Sequence, residues 1–89
     1  MKDVYLEVTF RHGEPIAGYL CLPRKSGEKS CRTARVEPGL VIDFNENDEP
    51  IGIEITAPSK LTLTAFNGVL RSLGLPPVTR ADLAPLLAA

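Results

Sequence analysis

The stretch LVIDFNENDEPIGIEIT, residues 40–56, decides the fold of this chain. It contains two runs of alternating apolar residues, which are Leu40, Ile42 and Phe44 in the first and Ile51, Ile53 and Ile55 in the second. The polar segment NENDEP separates the two runs. β-Branched and aromatic residues at a period of two, divided by a polar turn, predict an antiparallel hairpin with one buried face. Asp43 and Glu54 should then lie on the opposite face, in contact with water.

Alternating apolar residues before this hairpin predict three further strands. The first contains Val4, Leu6, Val8 and Phe10 on one core face and is ended by the turn at 12–15. Ile16 to Leu22 forms a second strand, and Ser30 to Val36 a third. Pro38 and Gly39 suit a type II turn, in which the glycine adopts a positive φ.

After residue 60 the apolar period changes from two to between three and four. The residues that form this helical stripe are Leu63, Phe66, Leu70 and Leu73. Thr62 is a suitable N-cap, and Gly74 is a suitable C-terminal stop. Thr79 and Asp82 have the spacing of a capping box for a second helix, which Pro85 should shorten or kink.

Together these patterns predict an α+β fold in a single domain, residues 1–89. The expected parts are an antiparallel β-meander of about five strands over 4–56, an amphipathic helix over 62–73 packed on it, and a short terminal helix over 79–88. Ile53, at the centre of the three alternating isoleucines, should lie in the core.

Composition and charge limit the classes of function. The chain has 89 residues with 44% apolar content, no apolar run near the ~18 residues of a membrane span, and no uninterrupted apolar stretch of the kind that a signal peptide requires. These features predict a cytoplasmic protein that does not enter membranes. Residues 24–35 contain five bases and one acid, whereas 37–54 contain six acids and no base. Adjacent segments of opposite charge favour self-association, as a homo-oligomer, over the broad basic surface that nucleic-acid binding requires.

Part of the chain resembles a known family. Residues 33–61, TARVEPGLVIDFNENDEPIGIEITAPSKL, are similar to the signature of the bacterial family known as domain of unknown function 2283. That signature has a run ending in valine, a turn glycine, a valine-rich strand with an aspartate, an acidic turn and a Gly-Ile-Glu-Ile strand. Here they correspond to Val36, Gly39, 41–43, 45–49 and 52–55.

The segment IAGYLCL, residues 16–22, is similar to an earlier tyrosine-containing strand of that family, although the acid that usually precedes the alanine is absent. The resemblance covers roughly residues 4–61. It implies a small antiparallel β fold and no established activity. Because members are often encoded near toxin-like proteins, it also implies an antitoxin-like or partner-binding role by association.

A calcium-binding pattern lies in the same stretch. The residues at positions 1, 3, 5, 7 and 12 of an EF-hand loop would be Asp43, Asn45, Asn47, Glu49 and Glu54. Position 6 should be glycine but is Asp48, position 8 is Pro50, and both flanks alternate as strands. We therefore expect a solvated hairpin turn and no metal or other cofactor.

Two cysteines and one histidine are the other candidates for chemistry. Cys21 and Cys31 would stand opposite each other if the second and third strands paired around Ser26, within the range of a disulfide. Free thiols in a reducing compartment are the expectation. His12 lies in a distant turn, so neither a zinc site nor a Cys-His nucleophile is predicted.

The carboxylates offer an enzymatic alternative. Glu37, Asp43 and Glu54 could act as a general acid and base, but carboxylates on the hydrated face of a sheet are usually solvated. The favoured reading is a non-enzymatic interaction module that self-associates through an edge strand or through the second sheet face, which carries Tyr5, Tyr19 and Val41. The alternative is a ligand-binding or hydrolytic domain that uses Asp43 and Glu54 at an oligomer interface.

Overall fold

The computed structural model describes residues 4–23, 27, 29–36 and 38–87. The chain forms five strands followed by helical segments. The strands are β1 (Tyr5–Arg11), β2 (Glu14–Cys21), β3 (Arg32–Val36), β4 (Leu40–Phe44) and β5 (Pro50–Ile55). A 3-10 turn (Pro58–Lys60), the helix α1 (Leu63–Ser72) and the short helix α2 (Ala84–Leu87) follow. The predicted α+β class, with five antiparallel strands, one amphipathic helix and a short terminal helix, is confirmed.

The order of the strands across the sheet is β1-β2-β5-β4-β3, with every neighbouring pair antiparallel. A meander would place β2 beside β3, but here β5 lies between β2 and β4. The alternation predicts which face of a strand is buried and not which strand lies next to it. Because Ile53 and Ile55 of β5 belong to the core cluster, the central place buries these side chains between neighbours on both sides.

The hairpin of β1 and β2 differs from its prediction in two details. Its turn has only two residues, His12 and Gly13, both with positive φ, as in the type I′ turns that suit hairpins. β2 therefore begins at Glu14 and includes Pro15, which lies beyond the part of β2 that pairs with β5 and so interrupts no ladder there. Phe10 was expected in the core but is 53% exposed, because this end of the hairpin projects past β5.

One face of the sheet, called here the covered face, packs against the helical segments. It carries Leu20, Ile42 and Ile53, and Ile53 is fully buried as predicted. The cluster continues into α1 through Phe66 and Leu70. Burial of such side chains stabilises a fold by roughly 1.5–3 kcal/mol each, so this layer dominates the stability of a small domain.

The helix α1 begins and ends at the predicted signals. The Thr62 hydroxyl accepts a hydrogen bond from the Ala65 amide, 3.1 Å. At the other end Gly74 has φ +74°, and the Leu75 amide donates to the Leu70 carbonyl, as in a Schellman motif. These caps satisfy backbone groups that the helix itself cannot pair.

The C-terminal segment is shorter as a helix than the predicted 79–88. The Thr79 amide and hydroxyl both donate to the Asp82 carboxylate, and these hydrogen bonds hold the pKa of Asp82 below its usual value. Turns with bonds of the i to i+3 type follow, and only 84–87 is α-helical, because Pro85 has no amide proton to continue the earlier pattern. Ala88 and Ala89, the end of the prediction, lie outside the described residues.

Two contacts attach this segment to the rest of the molecule. The Asn67 side chain of α1 exchanges two hydrogen bonds with the backbone of Val78, at 2.8 and 3.0 Å. Leu86 packs on Gly18 of β2, where a Cβ atom would stand 2.9 Å from its methyl carbon. The missing side chain at residue 18 therefore provides the place for Leu86. Across the described part of the chain, no helix has the length and apolar character that crossing a bilayer requires.

Candidate functional site

The second face of the sheet, called here the open face, carries no helical segment among the described residues. Alternation places Tyr19, Val41, Asp43 and Glu54 on it, opposite in direction to the core residues of the same strands. Glu54 is exposed, whereas Tyr19, Val41 and Asp43 are half-buried. The open face is thus a mixed surface in which aromatic and aliphatic groups alternate with carboxylates.

A tyrosine crosses the centre of the open face. Register places Tyr19 of β2 opposite Glu54 of β5, and its hydroxyl donates to the carboxylate of Asp43 on β4, 2.9 Å away. To reach β4 from β2, the ring passes over Gly52 of β5, where a Cβ atom would overlap the tyrosine hydroxyl and ring. Gly52 is therefore required as a glycine by the close approach of a side chain and not by its backbone angles.

The two carboxylates of the enzymatic alternative lie on the same face but not directly opposite each other. Asp43 pairs in register with Gly52, and Glu54 pairs with Val41, so the two acids occupy diagonal positions on neighbouring strands. Asp43 is engaged by the Tyr19 hydroxyl. Glu37, the third carboxylate considered, lies outside the described residues.

An apolar pocket of about 130 Å³ lies at the covered side of the sheet, away from these acids. Its described lining consists of the apolar residues Val4, Leu20, Leu22, Pro23, Leu70, Leu75, Pro76 and Val78. Neither Asp43 nor Glu54 contributes to it. The described lining therefore offers no acid or base to a bound molecule.

The turn between β4 and β5 is organised by Asn45, a buried polar residue. Its Oδ1 accepts hydrogen bonds from the amides of Asn47 and Glu49, both at 2.9 Å, and its Nδ2 donates to the Glu49 carboxylate. Such an Asx-type turn uses the side-chain oxygen as an acceptor for the backbone. The strands on both sides, as predicted from the alternation, place Glu54 opposite Tyr19 and Val41 and not in the turn.

The thiols and the histidine are far apart in the fold. Cys21 is buried on the open face opposite Gly52, whereas Cys31 is exposed and its amide donates to the carbonyl of Phe44. The sequence predicts that Cys21 and Cys31 face each other if the second and third strands pair. These strands do not pair, because β5 and β4 lie between them. Neither forms a disulfide. His12 occupies the exposed turn of the β1–β2 hairpin, as expected.

The basic segment is only partly described, since Arg24 and Lys25 lie outside the described residues. Arg32 forms an ion pair with Asp48, 3.0 Å, and its guanidinium lies 4.1 Å from the ring centre of Phe44. Both charged side chains are largely exposed, so the ion pair contributes at most about 1 kcal/mol. The pair links β3 to the acidic turn and uses one of the bases internally.

The two edges of the sheet have different characters. β1 has seven residues, and three exposed apolar side chains lie in its hairpin, which are Tyr5, Phe10 and Ile16. β3 has five residues, two of which are arginines. In the described part of the chain neither strand has a neighbour on its outer side. An unpaired strand edge presents amide and carbonyl groups that another strand can bind.

The alternation predicts that Tyr19, Asp43 and Glu54 share one face, but it does not predict the hydrogen bond across the sheet. That contact depends on β5 lying between β2 and β4, which alternation does not encode. One signal was present, since an isolated glycine inside a strand often marks the close approach of another group, and Gly52 is such a glycine.

Comparison with known families gives one match. Residues 18–58 match the family described as protein of unknown function (DUF2283), which confirms the resemblance over a shorter range than residues 4–61. The matched range runs from β2 to the 3-10 turn and contains the Tyr19, Gly52 and Asp43 arrangement. No curated protein and no solved structure matches the chain.

Proposed function

We propose that this protein, whose sheet is open on one face and at both edges among the described residues, is a non-enzymatic interaction module of the cytoplasm that associates with itself. The observation that carries the proposal is that the helical segments of the described chain pack on the covered face, and no described residue covers the open face or pairs with the outer sides of β1 and β3. Small domains with modest cores commonly gain stability by forming oligomers.

The distribution of charge favours association with a second copy over binding to a partner of uniform charge such as nucleic acid. The described acids of 43–54 lie on β4, β5 and their turn, whereas the described bases Lys29, Arg32 and Arg35 lie on and before β3. A surface that presents both signs in neighbouring strips can be complementary to a second copy of itself. The antitoxin-like role that the resemblance implies stays a prediction.

The geometry gives less support to the alternative at Asp43 and Glu54. The two acids are diagonal neighbours, one of them is bound by Tyr19, and the apolar pocket lies on the other side of the sheet. A hydrolytic site would need a general base within hydrogen-bond reach of a bound substrate. The open face provides carboxylates, but the apolar pocket does not include them.

The test of self-association is the mass of the protein in solution. We expect sedimentation at micromolar concentration to give a mass above 9.6 kDa, and added salt to weaken the assembly as charges become screened. A monomer at hundreds of micromolar would overturn the proposal. A pull-down from the native host would show in parallel whether a second protein binds.

A further inference from the structure

We infer that the self-association interface is the β1 edge, where β1 pairs antiparallel with β1 of a second copy in a register centred on Val8. This inference rests on the proposed function and specifies its site. It follows from the shape of β1, from its exposed side chains and from the order of its charges.

The outer edge of β1 has no neighbouring strand in the part of the chain that the structure describes. β1 pairs with β2 on one side from Tyr5 to Arg11, and on the other side it has no neighbour among the described residues. The irregularity in this hairpin is an extra residue in β2, since Thr9 pairs with Ala17 and Phe10 with Pro15. β1 itself stays regular, so its outer amides and carbonyls can form a continuous ladder.

The apolar side of β1 is incompletely covered by its own chain. Leu6 and Val8 are half-buried at the margin of the core, and Phe10 is 53% exposed. In a two-fold register centred on Val8, this residue faces Val8 of the second copy, and Leu6 faces Phe10. Pairing the strands would therefore bury the Phe10 ring against an aliphatic side chain, at two symmetrical positions.

The charges of β1 fit the same register. On the open side of the strand, Glu7 lies opposite Thr9 of the second copy and is diagonal both to its Arg11 and to its Glu7. Two attractive Glu7–Arg11 pairs, related by the two-fold axis, therefore outnumber one repulsive Glu7–Glu7 pair. A register centred on Glu7 would set the two glutamates directly opposite each other, and one centred on Thr9 would leave Leu6 opposite the turn at His12.

The β3 edge lacks this self-complementarity. β3 is shorter, and its charged residues Arg32 and Arg35 have the same sign with no acid in the strand. Two copies of β3 would place like charges next to each other, which is how many proteins protect an edge from pairing. Corresponding substitutions on β1 and on β3 should therefore have different effects on dimer formation.

Cysteine cross-linking tests the position of the interface. In a Cys31→Ser background, Val8→Cys should form a disulfide-linked dimer under mild oxidation, because facing residues of paired strands lie within disulfide range. Ala34→Cys, at the centre of β3, is the matched control and should remain uncross-linked. Cross-linking of Ala34→Cys without Val8→Cys, in a protein that still dimerises, would overturn this inference and leave the proposed function intact.

Charge reversal tests the register independently of oxidation. Glu7→Arg and Arg11→Glu should each raise the dissociation constant roughly tenfold, and the double variant should return it toward the original value. Arg71→Glu, an exposed base on α1 away from the strand edges, is the control and should leave it unchanged. No effect of any β1 reversal on a persistent dimer would overturn the inference, whereas a monomeric parent protein at hundreds of micromolar would overturn the proposed function as well.

Discussion

Neighbouring residues of strand β5 point to opposite faces of the sheet, and the two faces differ in what stabilises them. Ile53 and Ile55 point to the covered face and belong to its core cluster, whereas Gly52 and Glu54 point to the open face. On the covered side the contribution to the free energy of folding comes from apolar packing between the sheet and α1. On the open side it comes from a specific contact, the Tyr19–Asp43 hydrogen bond over a glycine. The difference shows that one central strand stabilises the fold and shapes the exposed surface through alternate residues.

The largest expected effect compares neighbours on β5. Ile53→Ala should lower the free energy of unfolding by about 2–4 kcal/mol, because it removes a fully buried side chain and leaves a cavity. The control is Glu54→Ala on the open face, which should change it by no more than about 0.5 kcal/mol. Chemical denaturation of both variants measures the difference. Equal midpoints would mean that the two faces do not differ in this way.

A second comparison concerns the glycine on the open face. Gly52→Ala should destabilise the protein by about 1–3 kcal/mol, because the new methyl group would displace the Tyr19 ring and break its hydrogen bond to Asp43.

Tyr19→Phe is the matched control for Gly52→Ala, since it removes the hydroxyl and keeps most of the ring. It should cost about 0.5–1.5 kcal/mol by itself. A neutral Gly52→Ala in thermal denaturation would show that the tyrosine does not cross β5.

The helix α1 can be stabilised by a substitution at a position where no neighbouring atom limits the size of the side chain. Gly68 lies inside α1, and a Cβ atom there would meet no atom within 4 Å. Gly68→Ala should therefore stabilise the protein by about 0.5–1 kcal/mol through helix propensity.

The comparison for Gly68 is the glycine at the end of the same helix. Gly74→Ala should destabilise the protein, because residue 74 has φ +74°. The sign of the change in melting temperature distinguishes the two positions, and a loss of stability in Gly68→Ala would indicate that this helix face is not open.

The smallest expected effect is at the turn that joins β4 to β5. Calcium at about 1 mM should leave the melting temperature unchanged, because the Asn45 oxygen already binds two amides and Glu54 lies in the strand. Glu54→Gln should behave like the parent protein. A rise of several degrees that this substitution abolishes would show that carboxylates of the open face and the turn converge on an ion.

The strands and α1 could be predicted from the sequence because period and capping are local properties. The alternation at 40–56 sufficed for the hairpin, and Thr62 and Gly74 sufficed for the ends of α1. The order of the strands could not be predicted, since β2 and β5 pair across more than thirty residues and each satisfies the same alternation.

The candidate surface was predictable only in part, for the same reason. Alternation along each strand predicts that Tyr19, Asp43 and Glu54 lie on the same face. The hydrogen bond from Tyr19 to Asp43 on β4 depends on which strand lies between β2 and β4. The exposure of Phe10 likewise depends on where β5 ends relative to the β1–β2 hairpin. These are relations between distant segments, and no local pattern contains them.

The contact between Leu86 and Gly18 has a consequence for the route of folding. It closes a loop from residue 18 to residue 86, whereas the hairpins of β1–β2, β3–β4 and β4–β5 each form between segments close in sequence. Because closing a long loop costs chain entropy before any contact rewards it, docking of the C-terminal segment should come late in folding. Until then Leu86 does not cover β2 at Gly18, so this strip of the sheet is the last part of the covered face to be buried.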